Sequence, residues 1–128
     1  VIGSVPHDWL LPRCALAIHH GGSGTTHSAC RAGIPSVILP FAGDQPFWAG
    51  RLRALGIADR VLSGRRPSAS GLRAAIAFAE LPDTCARAAA LGAVMRQEDG
   101  CATAVAWIAR CVERSAPARR MQHSPHPG

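Results

Sequence analysis

The sequence predicts an α/β fold in which a doubly wound parallel sheet is flanked by helices. Three observations point there. Short apolar runs alternate with helical patterns along the whole chain. Each run is apolar at consecutive positions, as in strands covered on both faces. Gly, Pro and Asp punctuate the runs at the spacing of βαβ units.

Taken in order, Val1 to Val5 reads as a buried strand closed by Pro6. Asp8 is suited to cap a short helical turn through Leu11. Cys14 to His19 is a second strand. Gly21, Gly22 and Gly24 form a turn, and Thr25 to Ala32 reads as a helix closed by Gly33. Pro35 leads into a third strand, Ser36 to Leu39, ended by Pro40. Asp44 and Pro46 open the next helix, where Pro fits the first turn. Its Trp48, Leu52 and Leu55 recur at i, i+4 and i+7 on one apolar face, and Gly56 stands past its end.

Ile57 to Leu62 is a shorter strand with Asp59 and Arg60 inside, hence nearer an edge. Gly64 to Pro67 is a loop. Ser68 caps a helix with Leu72, Ala75, Ile76 and Ala79 on one face. Asp83 caps an alanine-rich helix running to Glu98 and broken by Gly100. Ala104, Val105, Ile108 and Val112 mark a last helix. From Ser115 to Gly128 the chain is Pro, Arg, His and Ser without an apolar period, which reads as a disordered tail.

The length of 128 residues allows one domain at most, and 48% hydrophobic residues suffice for a core. A chain that opens on Val1 inside a strand reads as the later part of a longer protein. No basic segment precedes an apolar run in signal-peptide fashion, and no stretch approaches the ~20 apolar residues of a membrane span. A cytoplasmic location is expected, with the membrane surface as an alternative. The five cysteines are odd in number and lack CxxC spacing, as expected of reduced thiols and not of a zinc site.

The net charge of +6 comes from 14 basic residues, all Arg, against 8 acidic ones. This balance suits an anionic ligand. Most of the arginines fall on helix exteriors, a loop and the tail, where a solvated surface explains them. With no Tyr and three Phe, the chain lacks the aromatic platforms of single-strand nucleic-acid binders.

The segment from Ile18 to Gln45 carries the chemistry. A strand, a glycine turn and a helix start form an anion site, because exposed N–H groups and the helix dipole both favour negative charge. Glycines allow close backbone approach, and Ser23, Thr25 and Thr26 add hydroxyl donors. His19 at the strand end can donate to a phosphoryl oxygen. A plain tight βα turn accounts for the same glycines, so both readings stand at this point. The turn has neither the GK[ST] of a P-loop nor GxGxxG. Asp44 and Gln45 offer two acceptor oxygens and an amide, matched to vicinal sugar hydroxyls; Asp44 is equally suited to cap the helix. Both segments follow a strand, which places them on the same sheet edge, where such sheets bind ligands.

Together the PHDWLLP, HHGGSGTT, RAGIPSVILPFAGDQPFW and RLRALGIA segments resemble the donor-binding signature of the family 1 glycosyltransferases. The similarity is greatest to sterol-glucosyltransferase-like and antibiotic glycosyltransferases, and it covers roughly residues 3 to 113. It implies a Rossmann-like sheet forming the C-terminal part of a GT-B fold. Residues 1–114 would be a partial nucleotide-sugar donor domain and 115–128 a tail. His19, Gly22, Ser23, Gly24 and Thr25 would hold the donor diphosphate, and Asp44 and Gln45 the transferred sugar. Pro6, His7 and His27 would lie near the base or ribose.

The implied activity is inverting transfer of a hexose, glucose from UDP-glucose, to a hydroxyl of a lipid-like, sterol or polyketide acceptor. A nucleotide-sugar-binding fragment without transfer is the alternative. No metal is implied, since no DxD pair is present, and the catalytic base belongs to an acceptor domain outside this chain. Two departures bear on the base. His27 stands where many members have an acidic ribose contact, and Gly22 where plant members have Trp; TDP is therefore the alternative to UDP.

Overall fold

The structure, a computed structural model, describes residues 3–59, 62, 64 and 66–115. It forms two compact units, Val1–Gln97 and Glu98–Gly128. In the first, α1 (His7–Leu10) runs into a 3-10 turn, Leu11–Arg13. There follow β1 (Ala17–His19), α2 (Ser23–Ala32), β2 (Ser36–Ile38), α3 (Gln45–Ala54), α4 (Ala69–Ala79) and α5 (Pro82–Gln97). The second unit contains α6 (Gly100–Ser115).

The strands pair in parallel, with Ala17 opposite Ser36, Ile18 opposite Val37 and His19 opposite Ile38. Both strands therefore end side by side. The glycine turn and the loop into α3 leave from the same sheet edge, as expected. Successive residues of β2 point to opposite faces. Ile38 packs with Cys30, Leu52, Ile57 and Ala88, while Val37 packs with Leu62, Ala75 and Ala79. The strand is thus covered on both faces, which explains its consecutive apolar residues. A further cluster joins Leu11, Ala17, Ala29 and Ile34.

The strands are shorter than the apolar runs. Cys14 belongs to the 3-10 turn, its N–H donating to the Leu11 carbonyl at 3.0 Å, so β1 begins only at Ala17. Gly3, Ser4 and Val5 are not in a strand, and Val1 and Ile2 lie outside the described residues. Ile57 is buried beside β2, its carbonyl accepting from Ser36 N–H at 3.1 Å. That single bond does not make Ile57, Ala58 and Leu62 a strand; Arg60 and Val61 lie outside the described residues.

Local rules hold better at helix ends. Gly33 closes α2 in the left-handed region at φ 79°, where a Cβ is disfavoured. The Ser68 hydroxyl accepts from Gly71 N–H at 3.0 Å, capping α4. Ser68→Ala is expected to cost about 1 kcal/mol, read as a lower urea midpoint. Asp83 lies inside the first turn of α5 and does not precede it. Gly100 opens α6 and does not merely break α5: Asp99 Oδ1 accepts from Ala102 N–H at 2.9 Å. No residue of α6 is buried, and Ser115 belongs to it; residues 116–128 lie outside the described residues.

Helices α2 and α5 meet at glycine. A Cβ on Gly92 would lie 2.6 Å from Gly33 Cα and 2.9 Å from the Cys30 carbonyl oxygen. Around this contact Arg31 donates to the Met95 carbonyl at 2.7 Å, and Arg96 to the Arg31 carbonyl at 2.8 Å. Among the described residues no helix is long and apolar enough to cross a membrane.

Candidate functional site

The glycine turn begins where β1 ends. Gly21 has φ 88°, and a Cβ there would lie 2.7 Å from Ile38 Cγ2 and 3.3 Å from the Gln45 carbonyl oxygen. The turn therefore closes directly against the loop into α3. Gly22 is the N-cap of α2, and no side chain caps that terminus. The first-turn N–H groups of Ser23, Gly24 and Thr25 have no intrahelical acceptor and remain available to an anion. A Cβ on Gly22 would meet the ring of the exposed His20, which would have to turn aside to admit a larger residue there.

His19 is half-buried behind the turn. Its Nδ1 accepts from Gly21 N–H at 3.1 Å, and its Nε2 lies 3.2 Å from Ser36 Oγ. A backbone N–H can only donate, so Nδ1 is unprotonated and the neutral ring carries its proton on Nε2. Burial, with smaller contributions from His20 and His7, lowers its pKa from 6.5 to about 4. His19 is thus neutral at physiological pH, and its one N–H faces the buried Ser36 hydroxyl and not the turn.

The folded-state pKa lies below the unfolded value, so the stabilisation is complete above pH 6.5 and is lost as pH falls towards 4. Protonation at Nδ1 also breaks the Gly21 bond. Urea midpoints are expected to fall through this window, and His19→Gln to flatten that fall.

Asp44 precedes α3, yet its side chain does not cap it. Asp44 Oδ2 instead accepts from the Trp48 indole N–H at 2.8 Å. Gln45 Oε1 accepts from Phe41 N–H at 2.7 Å and Ala42 N–H at 3.1 Å, leaving the amide group as a donor. The pair therefore presents one carboxylate oxygen and one amide N–H₂, each held by a separate tether.

The ribose-side residues are less tightly gathered. Pro6 is the N-cap of α1, its carbonyl accepting from Trp9 and Leu10, and His7 is exposed in the first turn. His27 is exposed on α2 and borders two cavities. One, of about 360 Å³, lies between α1 and α2 with Asp8, Pro12, Arg31 and Arg96 on its walls. The other, of about 650 Å³, lies between α2, α3 and α5, with Trp48, Leu52 and Leu91 among its lining. The Thr26 hydroxyl is buried without a partner. The contacts of Ser36 with His19 and of Trp48 with Asp44 are not legible in the sequence as such. Only the i, i+4 spacing of Asp44 and Trp48 could have signalled one of them.

The family profile described as "Erythromycin biosynthesis protein CIII-like, C-terminal domain" matches residues 1–112. The chain belongs to this family. Among its relatives, vancomycin aglycone glucosyltransferase of Amycolatopsis orientalis is 45% identical over 116 residues, which is 91% of this chain and 28% of that protein. Sterol 3-beta-glucosyltransferase of Eremothecium gossypii is 47% identical over 108 residues, 83% of this chain and 8% of that protein.

Among solved structures, the glycosyltransferase VinC in complex with DTDP superposes with TM-score 0.75 at 30% identity, over 88% of this chain and 29% of that one. The kitacinnamycin glycosyltransferase gives TM-score 0.74 at 30% identity, over 84% of this chain and 28% of that one. The CIII-like domain thus has the fold seen in GT-B glycosyltransferases. It spans less than a third of each of these relatives.

Proposed function

We propose that this chain is the donor-binding part of an inverting glycosyltransferase. It holds a nucleoside-diphosphate sugar, UDP-glucose, for transfer to a hydroxyl of a sterol, lipid-like or polyketide acceptor. The observation that carries this is the uncapped α2 terminus against the Asp44–Gln45 pair on one sheet edge. The glucosyltransferase names of two relatives support it.

In this arrangement the diphosphate rests on the N–H groups of Ser23, Gly24 and Thr25, with the Ser23 and Thr25 hydroxyls as further donors, while His19 holds the turn by accepting from Gly21 N–H. Gly22 lets the chain approach closely. Asp44 and Gln45 hold the sugar hydroxyls, and Pro6, His7 and His27 border the nucleoside. The acceptor hydroxyl gives its proton to a base outside this chain. Its oxygen attacks the anomeric carbon as the bond to the β-phosphate oxygen breaks, and the nucleoside diphosphate departs. The leaving charge meets preorganised N–H donors and the helix dipole, so the protein itself supplies the stabilisation. We place the reaction in the cytoplasm, at the membrane surface when the acceptor is a lipid.

The test uses protein expressed from the complete reading frame, given UDP-glucose or TDP-glucose with a sterol or a polyketide aglycone. A glucosylated product is expected by mass spectrometry, and Asp44→Ala should reduce its formation at least 10-fold, since bonds to a charged group contribute about 1.5–3 kcal/mol. Donor binding without product in every combination would favour a non-catalytic nucleotide-sugar-binding role. Absence of donor binding would overturn the proposal.

A further inference from the structure

The carboxylate of Asp44 is exposed, yet it is not left to move freely. Two bonds tie Trp48 back to this residue. The Trp48 backbone N–H donates to the Asp44 carbonyl at 3.2 Å, and the indole N–H donates to Asp44 Oδ2 at 2.8 Å. The second bond is short, as expected where an N–H meets a charged oxygen. Asp44 has helical dihedrals, φ −80° and ψ −6°, whereas a capping residue is usually extended. With that backbone the carboxylate leaves the helix end uncapped and turns to the indole.

The indole is a firm anchor. Trp48 is half-buried, Phe47 meets its ring edge-on at 5.2 Å and 79°, and the ring lines the 650 Å³ cavity together with Leu52 and Leu91. An indole N–H can only donate, so it fixes one carboxylate oxygen and leaves Oδ1 to a ligand. The next residue, Gln45, is held in a comparable way by Phe41 and Ala42 N–H. A hydroxyl that binds here meets a carboxylate whose orientation is already set. An untethered Asp would have to be ordered by the ligand itself, with a loss of affinity.

We propose that Trp48 is a positioning residue for the transferred sugar. It holds Asp44 in the orientation that receives the sugar hydroxyls, and so sets the affinity for the nucleotide sugar and not for the nucleotide. This rests on the donor-binding function proposed above, and adds to it a residue that touches neither phosphate nor sugar.

Trp48→Phe tests it, because phenylalanine keeps an aromatic ring in the cavity wall and removes the N–H. The protein from the complete reading frame is titrated calorimetrically with UDP, UDP-glucose, TDP and TDP-glucose. Trp48→Phe should weaken binding of the nucleotide sugar about 5-fold, and that of the matching nucleotide by no more than about 2-fold. On an Asp44→Ala background the same substitution should bring no further loss, since the tether has already lost its acceptor. In the wild type, the Trp48 indole N–H resonance should move on saturation with the nucleotide sugar and stay in place with the nucleotide, a readout that needs no variant. Equal losses for nucleotide and nucleotide sugar, or a loss that persists beside Asp44→Ala, would mean that Trp48 only packs α3 and would overturn the proposal while leaving donor binding in place. Unchanged affinity for the nucleotide sugar in Trp48→Phe, or an indole resonance that ignores it, would do the same. Failure of every one of these ligands to bind the wild type would overturn the donor-binding function as well.

Discussion

Gly24→Asp is expected to abolish nucleotide binding in a protein that folds as well as before. Gly24 lies in the first turn of α2, and a Cβ there meets nothing within 4 Å, so the fold accepts the substitution. A carboxylate at a helix N-terminus adds about 0.3–1 kcal/mol of stability through the dipole. The same carboxylate would oppose a bound diphosphate. At a separation of ~6 Å and an effective dielectric of ~20, repulsion is about 3 kcal/mol per unit charge. Affinity for UDP should fall at least 100-fold by calorimetry, at roughly 1.4 kcal/mol per decade, while the thermal midpoint holds or rises. Undiminished binding would show that the diphosphate lies elsewhere.

Gly92→Val should do the opposite and remove the fold. Its Cβ would stand 2.6 Å from Gly33 Cα, 2.8 Å from Gly33 N and 2.9 Å from the Cys30 carbonyl oxygen. All three are backbone atoms at the end of α2, and Gly33 is itself held in the left-handed region. Neither helix can yield without losing the Arg31 and Arg96 tethers. The expected cost is at least about 3 kcal/mol, a large part of a typical domain's 5–15 kcal/mol. Gly50→Ala is the matched control. Gly50 is exposed inside α3 with open space around it, and alanine there should stabilise by about 0.5–1 kcal/mol. Urea denaturation followed by circular dichroism compares the two.

What could be read from sequence divides along physical lines. Gly33, Gly56 and Ser68 obey rules that involve only a few neighbouring residues, and each occupies the expected helix-end position. Strand lengths depend on a partner, and apolar runs do not reveal it. Cys14 to Leu16 satisfies the composition of a strand, but Cys14 is held by the preceding 3-10 turn. Ile57 meets β2 through one bond.

The site followed the same division. The shared sheet edge was legible, because element order dictates it. The function of Asp44 was not, because capping and sugar binding use the same oxygens. The Trp48 indole, one turn on, takes one carboxylate oxygen while the helix end goes uncapped. The tautomer of His19 depends on Gly21 N–H at Nδ1 and on Ser36 across the ladder at Nε2, a pairing that spacing alone does not reveal. Asp8 and His27 share a cavity only because α1 approaches α2.

The most direct measurement is the titration of UDP into the isotope-labelled protein, followed by amide NMR. Saturable shifts centred on Gly21 to Thr26, with smaller ones at Asp44 and Gln45, are the expected result, and Gly24→Asp should erase them. A folded protein whose Gly21 to Thr26 amides do not respond to saturating UDP or TDP would contradict donor binding at the α2 terminus.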